Sequence, residues 1–245
     1  MEKQPLLNTY VNNMDMLETI EAIDDLIMQG KKSYVVPINV DVVMKMESDP
    51  YLRLIAQNAE MVLVDGMPLV WIAKWHGRPV KEKISGSDLV PLLCSHAAKK
   101  GYSVFILGGK EGVSDKARAR LEKEFPEINV IGTYSPPLGF EKDETELEQI
   151  NNILSKVQPD LLIVCFGCPK QEKWIYENYI KCGATVSICA GATVDFLAGE
   201  VNRAPRWVSK LGFEWFYRFL KEPKRMFKRY FIDDVKIIKL IFKYR

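Results

Sequence analysis

The chain has 245 residues, with 34 Lys/Arg, 32 Asp/Glu and a formal net charge of +2, and 47% of its residues are hydrophobic. This mixture excludes a disordered or fibrous chain and suits one generous α/β domain with a small appendage. No apolar run reaches the ~20 residues of a spanning helix, so membrane contact is expected to be peripheral, and five cysteines behind a polar start without a secretory signal imply reduced cytoplasmic thiols.

In chain order, an amphipathic helix is predicted over Met16–Met28, then a buried strand over Tyr34–Val36 with Asn39 just beyond its end. A second strand, Met61–Val64, stops on Asp65-Gly66-Met67. A helix over Gly86–Lys99 leads to a strand over Ser103–Leu107, which runs into Gly108-Gly109 and a helix over Val113–Glu124. Strands over Asn129–Ile131, Leu161–Cys165 and Thr185–Cys189 alternate with helices over Glu144–Val157 and Gln171–Ile180. The rhythm predicts an α/β fold with a doubly wound, mainly parallel, Rossmann-like sheet. Ligands of such sheets sit beyond the carboxyl ends of the strands, so the residues after each apolar run are the candidates for chemistry.

Three of those places stand out. The glycines at 108 and 109 let the backbone approach a diphosphate at a helix N-terminus, or simply serve a tight turn. Asp65 is either a helix cap or a general base over the sheet, and Asn39 is similarly placed. Pro169 starts a helix whose first turn carries Gln171 and Glu172, suited to capping or to hydrogen bonds with a sugar or uracil. Cys165-Phe-Gly-Cys168 spells C-x-x-C, but without a second pair or a nearby histidine it is a weak metal or redox signal. His76 and His96 read as ordinary surface or packing residues, so no histidine-centred triad or metal site is expected. No Asp-x-Asp occurs, and a leaving diphosphate would need Arg, Lys and backbone dipoles instead of a metal.

Composition shifts near residue 200, which divides a catalytic domain (1–200) from an appendage (201–245). Residues 201–245 hold thirteen Lys/Arg against four Asp/Glu, a net +9, leaving −7 for the body. Within the appendage Met226, Phe227, Tyr230, Phe231, Val235, Ile238, Ile241 and Phe242 recur at helical spacing among lysines and arginines. A basic amphipathic helix of this kind suits an anionic membrane surface, or packs on the domain or a partner subunit; the apolar stripe argues against nucleic acid.

Asp65-Gly-Met, Ser85-Gly-Ser-Asp-Leu89, Phe105-Ile-Leu-Gly-Gly-Lys110, Gly167-Cys-Pro-Lys-Gln-Glu-Lys173, Asp195-Phe-Leu-Ala-Gly199, Arg203-Ala-Pro-Arg206, Glu214-Trp-Phe-Tyr-Arg218 and Glu222-Pro-Lys-Arg225 resemble, in order and spacing, the WecG/TagA/CpsF glycosyltransferases. The resemblance runs from about Asn39 to Arg229. It implies an inverting, metal-independent enzyme, without a cofactor, that moves a sugar from a UDP donor to an undecaprenyl-diphosphate-linked sugar at the inner face of the plasma membrane, in teichoic acid or surface polysaccharide synthesis. By that likeness Asp65 is the base. Asn39, Gly66, Met67, Lys83, Gly86, Asp88, Gly108, Gly109, Gln171, Glu172, Asp195, Arg203 and Arg206 frame the substrates, and Arg218, Arg225 and Arg229 close over a diphosphate. Two departures bear on specificity: Pro37-Ile38 stands where the family commonly has a threonine shortly before the asparagine, and Lys83 where it often has arginine. A lysine keeps charge but loses bidentate recognition, and Pro37 loses a hydroxyl, so these two positions leave donor and acceptor identity open.

Two other readings remain at this point. A Rossmann-type NAD(P)-dependent oxidoreductase needs an acidic ribose ligand about 20 residues past the glycines, where Glu124 and Glu127 fall, though they follow a helix rather than a strand. A non-catalytic nucleotide-binding adaptor at the membrane is the other. Homo-oligomerisation is left open.

Overall fold

A computed structural model describes residues 2–201, 204, 208, 214–221, 223–228, 230 and 233–245. The chain opens with an antiparallel hairpin, β1 (Lys3–Leu6) and β2 (Thr9–Asn12), followed by α1 (Met16–Met28). Asp15 begins α1 with a complete capping box: its side chain accepts from the Glu18 N–H while the Glu18 carboxylate accepts from the Asp15 N–H.

The short β-branched runs become six strands: β3 (Ser33–Ile38), β4 (Met61–Val64), β5 (Ser103–Gly108), β6 (Asn129–Tyr134), β7 (Leu161–Cys165) and β8 (Val186–Cys189). They form one parallel sheet in the order β4-β3-β8-β7-β5-β6, the doubly wound Rossmann-like arrangement expected from the alternation. Successive residues of a strand face opposite layers. Val36, Ile38, Val62, Val64, Leu162 and Val164 accordingly join one buried cluster, and Val35, Met61, Leu63, Leu161 and Ile163 the other.

The first layer is built from α2 (Val40–Ser48), α3 (Pro50–Asn58), α4 (Met67–Trp75), α7 (Glu144–Val157) and α8 (Lys170–Asn178). The second contains α1, α5 (Gly86–Lys100), α6 (Val113–Glu124) and α9 (Thr193–Ala198). β4 is an edge strand, and the hairpin guards it: the Val62 N–H, buried, donates to Asn12 Oδ1 at 2.8 Å.

Pro37 is unusual inside a non-edge strand, because it offers no N–H to a ladder. Its register explains the tolerance. β3 pairs with β4 through Ile38↔Val64, but its pairing with β8 ends at Val35↔Ile188, two residues before the proline. β3 and β8 therefore part at their carboxyl ends.

The appendage contributes α10 (Glu214–Lys221), α11 (Pro223–Lys228), a 3₁₀ turn at Asp234–Lys236 and α12 (Ile237–Lys243). The terminal helix returns to the body: Ile237 and Leu240 are buried in the first layer, His76 Nε2 lies 3.0 Å from the Ile241 carbonyl, and Lys243 Nζ meets Glu47 Oε1 at 2.6 Å. No helix among the described residues is long and apolar enough to cross a membrane.

The second layer is fastened by Asp24 of α1, whose carboxylate accepts from Tyr102 (2.6 Å), Lys100 (2.9 Å) and His96 (3.0 Å). Burial pushes its pKa up, yet the three hydrogen bonds and the Lys100 charge together hold it well below the ordinary 3.8. A depressed carboxylate stabilises the fold fully above its unfolded-state pKa and loses that contribution as pH falls toward the folded one. Asp24→Asn should therefore lower unfolding free energy by about 1–3 kcal/mol at neutral pH. Melting curves across pH should show the gap to wild type closing as pH drops below the ordinary aspartate value.

Candidate active site

The parting of β3 and β8 opens a cavity of about 570 Å³ over the carboxyl ends of β3, β4, β7 and β8. Pro37, Asn39, Asp41 and Lys45 line it from β3 and α2, Asp65 from the end of β4, and Gly86 and Ser87 from the first turn of α5. Gly167, Cys168, Gln171 and Glu172 follow β7; Cys189 to Thr193 and Phe196 follow β8; Asp233 arrives from the appendage.

Local chemistry fixes each wall. Asn39 caps α2, its Oδ1 accepting from the Val42 N–H at 3.2 Å. The Asp65 N–H donates to the Ile38 carbonyl at 2.8 Å, which extends the strand register to the aspartate itself. Gly66, with φ +121°, then turns the chain into α4 and occupies the N-cap position, with no side-chain cap bond there. Asp65 thus belongs to the cavity wall rather than to the helix cap. Met67 is the first residue of α4.

Gln171 is a clamp between two loops. Its Oε1 accepts from Gly167 N–H (3.3 Å) after β7 and from Gly191 N–H (3.0 Å) after β8, while Nε2 donates to Glu172 Oε1 at 2.9 Å. Glu172 is fully buried, and among the described residues its Oε2 has no nitrogen or oxygen hydrogen-bond partner, with the Cys168 thiol beside the carboxyl. Burial raises its pKa against the lowering pull of Gln171, so the protonated form is favoured relative to an ordinary glutamate.

At α5, Ser85 accepts from the Asp88 N–H at 3.1 Å and donates to Asp88 Oδ2 at 2.6 Å, and Lys83 Nζ meets the same oxygen at 2.7 Å. Lys83 and Asp88 brace the turn that presents Gly86 and Ser87, without lining the cavity themselves. Asp195, in the first turn of α9, also lies outside the lining. So do Gly108 and Gly109, at the end of β5. A Cβ on Gly108 would stand 2.7 Å from the Cys165 carbonyl carbon and oxygen, and its φ is +112°, so close approach of β5 to β7 accounts for the glycine. Arg203, Arg206 and Arg229 lie outside the described residues. Arg218 and Arg225 fall within α10 and α11, their side chains likewise outside the description.

Asp41, Lys45, Ser87 and Asp233 line the cavity without having stood out in the sequence. Lys45 donates to Asp41 Oδ2 (2.8 Å) and to the Cys168 carbonyl (3.1 Å). It is the single cation among the described lining residues, against Asp41, Asp65, Glu172 and Asp233. Among the described residues no group of three or more His, Cys, Asp or Glu is placed to hold a metal ion. All five thiols are free.

The glycosyl transferase WecG/TagA/CpsF family model matches residues 4–245. The chain is 29% identical over 197 residues to the N-acetylglucosaminyldiphosphoundecaprenol N-acetyl-beta-D-mannosaminyltransferase of Bacillus spizizenii, covering 80% of this chain and 74% of the relative. It is 26% identical over 226 residues to the enzyme of the same name from Bacillus subtilis, covering 92% and 86%.

The clamp makes its own prediction. Gln171→Glu retains an acceptor for both glycine N–H groups but removes the donor to Glu172 and sets two carboxyls side by side. Unfolding free energy at pH 8 should fall by about 1–3 kcal/mol, and the loss should shrink as pH drops toward ~5 and one carboxyl takes up a proton. A deficit independent of pH would show that the two groups do not meet.

Proposed function

Because the chain belongs to the glycosyl transferase WecG/TagA/CpsF family and is a glycosyltransferase, we propose that it moves N-acetylmannosamine, or a related hexose or uronic acid, from a UDP donor to undecaprenyl-diphosphate-linked N-acetylglucosamine. Family membership sets aside the oxidoreductase and adaptor readings. The acceptor follows from the names of the two Bacillus relatives. The observation that carries the reading is the polar crevice over the parted strands, with Asp65 fixed on its wall by the Ile38 carbonyl.

In this reading the Asp65 carboxylate takes the proton of the acceptor hydroxyl as its oxygen attacks the anomeric carbon. The bond to the UDP oxygen breaks on the opposite face, which inverts the configuration. Gln171 holds the β7 and β8 loops in register, so that Gly191 and Gly167 keep their place around the sugar. UDP leaves as an anion, and the described wall is poor in cations, with Lys45 against four acids. Arg203, Arg206, Arg218, Arg225 and Arg229 supply the missing positive charge from the appendage in this proposal, which needs neither metal nor cofactor. The 1–200 body and the 201–245 appendage then form one site, at the inner face of the plasma membrane, where the acceptor lies.

Asp65→Asn should lower kcat by about 10²–10⁴ while leaving UDP affinity within a factor of about two by calorimetry. Near wild-type turnover in that variant would remove Asp65 from the base role. Mass spectrometry of products from a panel of UDP-sugars with a short-chain lipid diphosphate acceptor identifies the donor, and transfer should persist in excess EDTA.

A further inference from the structure

We infer that the outer face of α4, joined to the terminal helix α12, is a membrane-docking surface whose occupant is an anionic lipid interface. Trp71 and Trp75 stand one helical turn apart on α4, 49% and 50% exposed. Phe242 of α12, 66% exposed, meets Trp75 edge to face at 5.6 Å, and Arg245 lies over the Trp75 ring at 5.2 Å. Ile238, 54% exposed, sits one turn before Phe242 on the same helix. Four large apolar side chains thus crown two adjoining helices.

Charge selects the partner. Residues 66–80 and 235–245 contain Lys74, Arg78, Lys236, Lys239, Lys243 and Arg245 and not one Asp or Glu. Lys243 and Lys236 are paired with Glu47 and Asp233, and the aromatic rings with a polar edge, set beside Lys74, Arg78, Lys239 and Arg245, match the headgroup layer of an anionic bilayer. The platform is rigid, because Ile237 and Leu240 are buried beneath it, His76 meets the Ile241 carbonyl and Glu47 receives Lys243 and Tyr244. It is also close to the crevice. Gly66 alone separates Asp65 from α4, and Trp71 and Trp75 lie roughly 6 and 12 Å along the helix from Met67. Docking on this face would hold the mouth of the crevice at headgroup depth.

The inference rests on the lipid-linked acceptor proposed above for its purpose, but its test needs neither donor nor acceptor. Wild type and Trp71→Ser/Trp75→Ser are sedimented with vesicles of phosphatidylglycerol and phosphatidylcholine. The double variant should melt as wild type does and lose about tenfold or more of its partitioning. Bromine-labelled acyl chains should quench wild-type tryptophan emission, with most of that quenching lost in the variant. Lys74→Glu/Arg245→Glu should weaken binding to anionic vesicles and leave binding to neutral ones unchanged. Transfer to a short-chain soluble acceptor should be unaffected, while transfer to a vesicle-embedded one falls. Unchanged partitioning of the serine variant overturns the inference. So does a drop in oligomer mass in place of vesicle binding, which would make the face a contact between copies of the chain. Intact vesicle binding by a chain that transfers no sugar would instead refute the proposed activity alone.

Discussion

The structure turns on the point at which β3 and β8 stop pairing. In a parallel sheet each backbone N–H reaches one neighbouring strand, so a residue that lacks it interrupts the ladder on one side only. Pro37 stands two residues past the last β3–β8 pair, while β3 remains paired with β4 through Ile38. The sheet thus splits at its carboxyl edge between β3 and β8. Everything assigned to the site hangs from that split: Asn39 caps the helix that leaves β3, Asp65 ends the strand still paired to it, and Gln171 spans the loops on the far side.

A split sheet exposes backbone that must be satisfied, and one side chain does much of that work. Gln171 offers its carbonyl to two glycine N–H groups and its amide to a glutamate, so its position is over-determined. Glu172 is the counterpart, a carboxyl that accepts from Gln171 in a buried setting that disfavours ionisation. A shift toward the protonated form lowers the negative charge of the crevice. Asp41, Asp65 and Asp233 line the same crevice, with Lys45 as the single cation among the described lining residues.

Much of the sheet was legible because a buried parallel strand has to be a short β-branched run, and all six runs are strands. The helices α2, α3 and α4 were not, since nine-residue helices packed end to end between two strands carry too few turns for a clear period. The hairpin β1–β2 has exposed and polar positions that leave no apolar run to detect. Missing α2 hid Lys45, which reaches the cavity only because Asn39 caps the helix that carries it. Strand ends proved informative in a narrower sense. Asn39, Asp65, Gln171 and Glu172 line the cavity, and Gly108 lies outside the lining, where β5 approaches β7 too closely for a Cβ.

The appendage shows why an apolar period alone does not name a partner. Along α12 the buried Ile237 and Leu240 and the exposed Ile238 and Phe242 alternate around one short helix, so it is apolar on two sides and serves two surfaces. One side closes the first layer over α2 and α4, and the other remains outside. A helix committed on one face to the core cannot move away from the strand end bearing Asp65 without exposing Ile237 and Leu240, and burying such side chains stabilises by about 1.5–3 kcal/mol each. The terminal helix is therefore packed on the same layer that supplies α2 and α4 to the crevice. Phe242 touches α4 at Trp75, His76 at the end of α4 meets the Ile241 carbonyl, and α4 begins at Met67, two residues after Asp65.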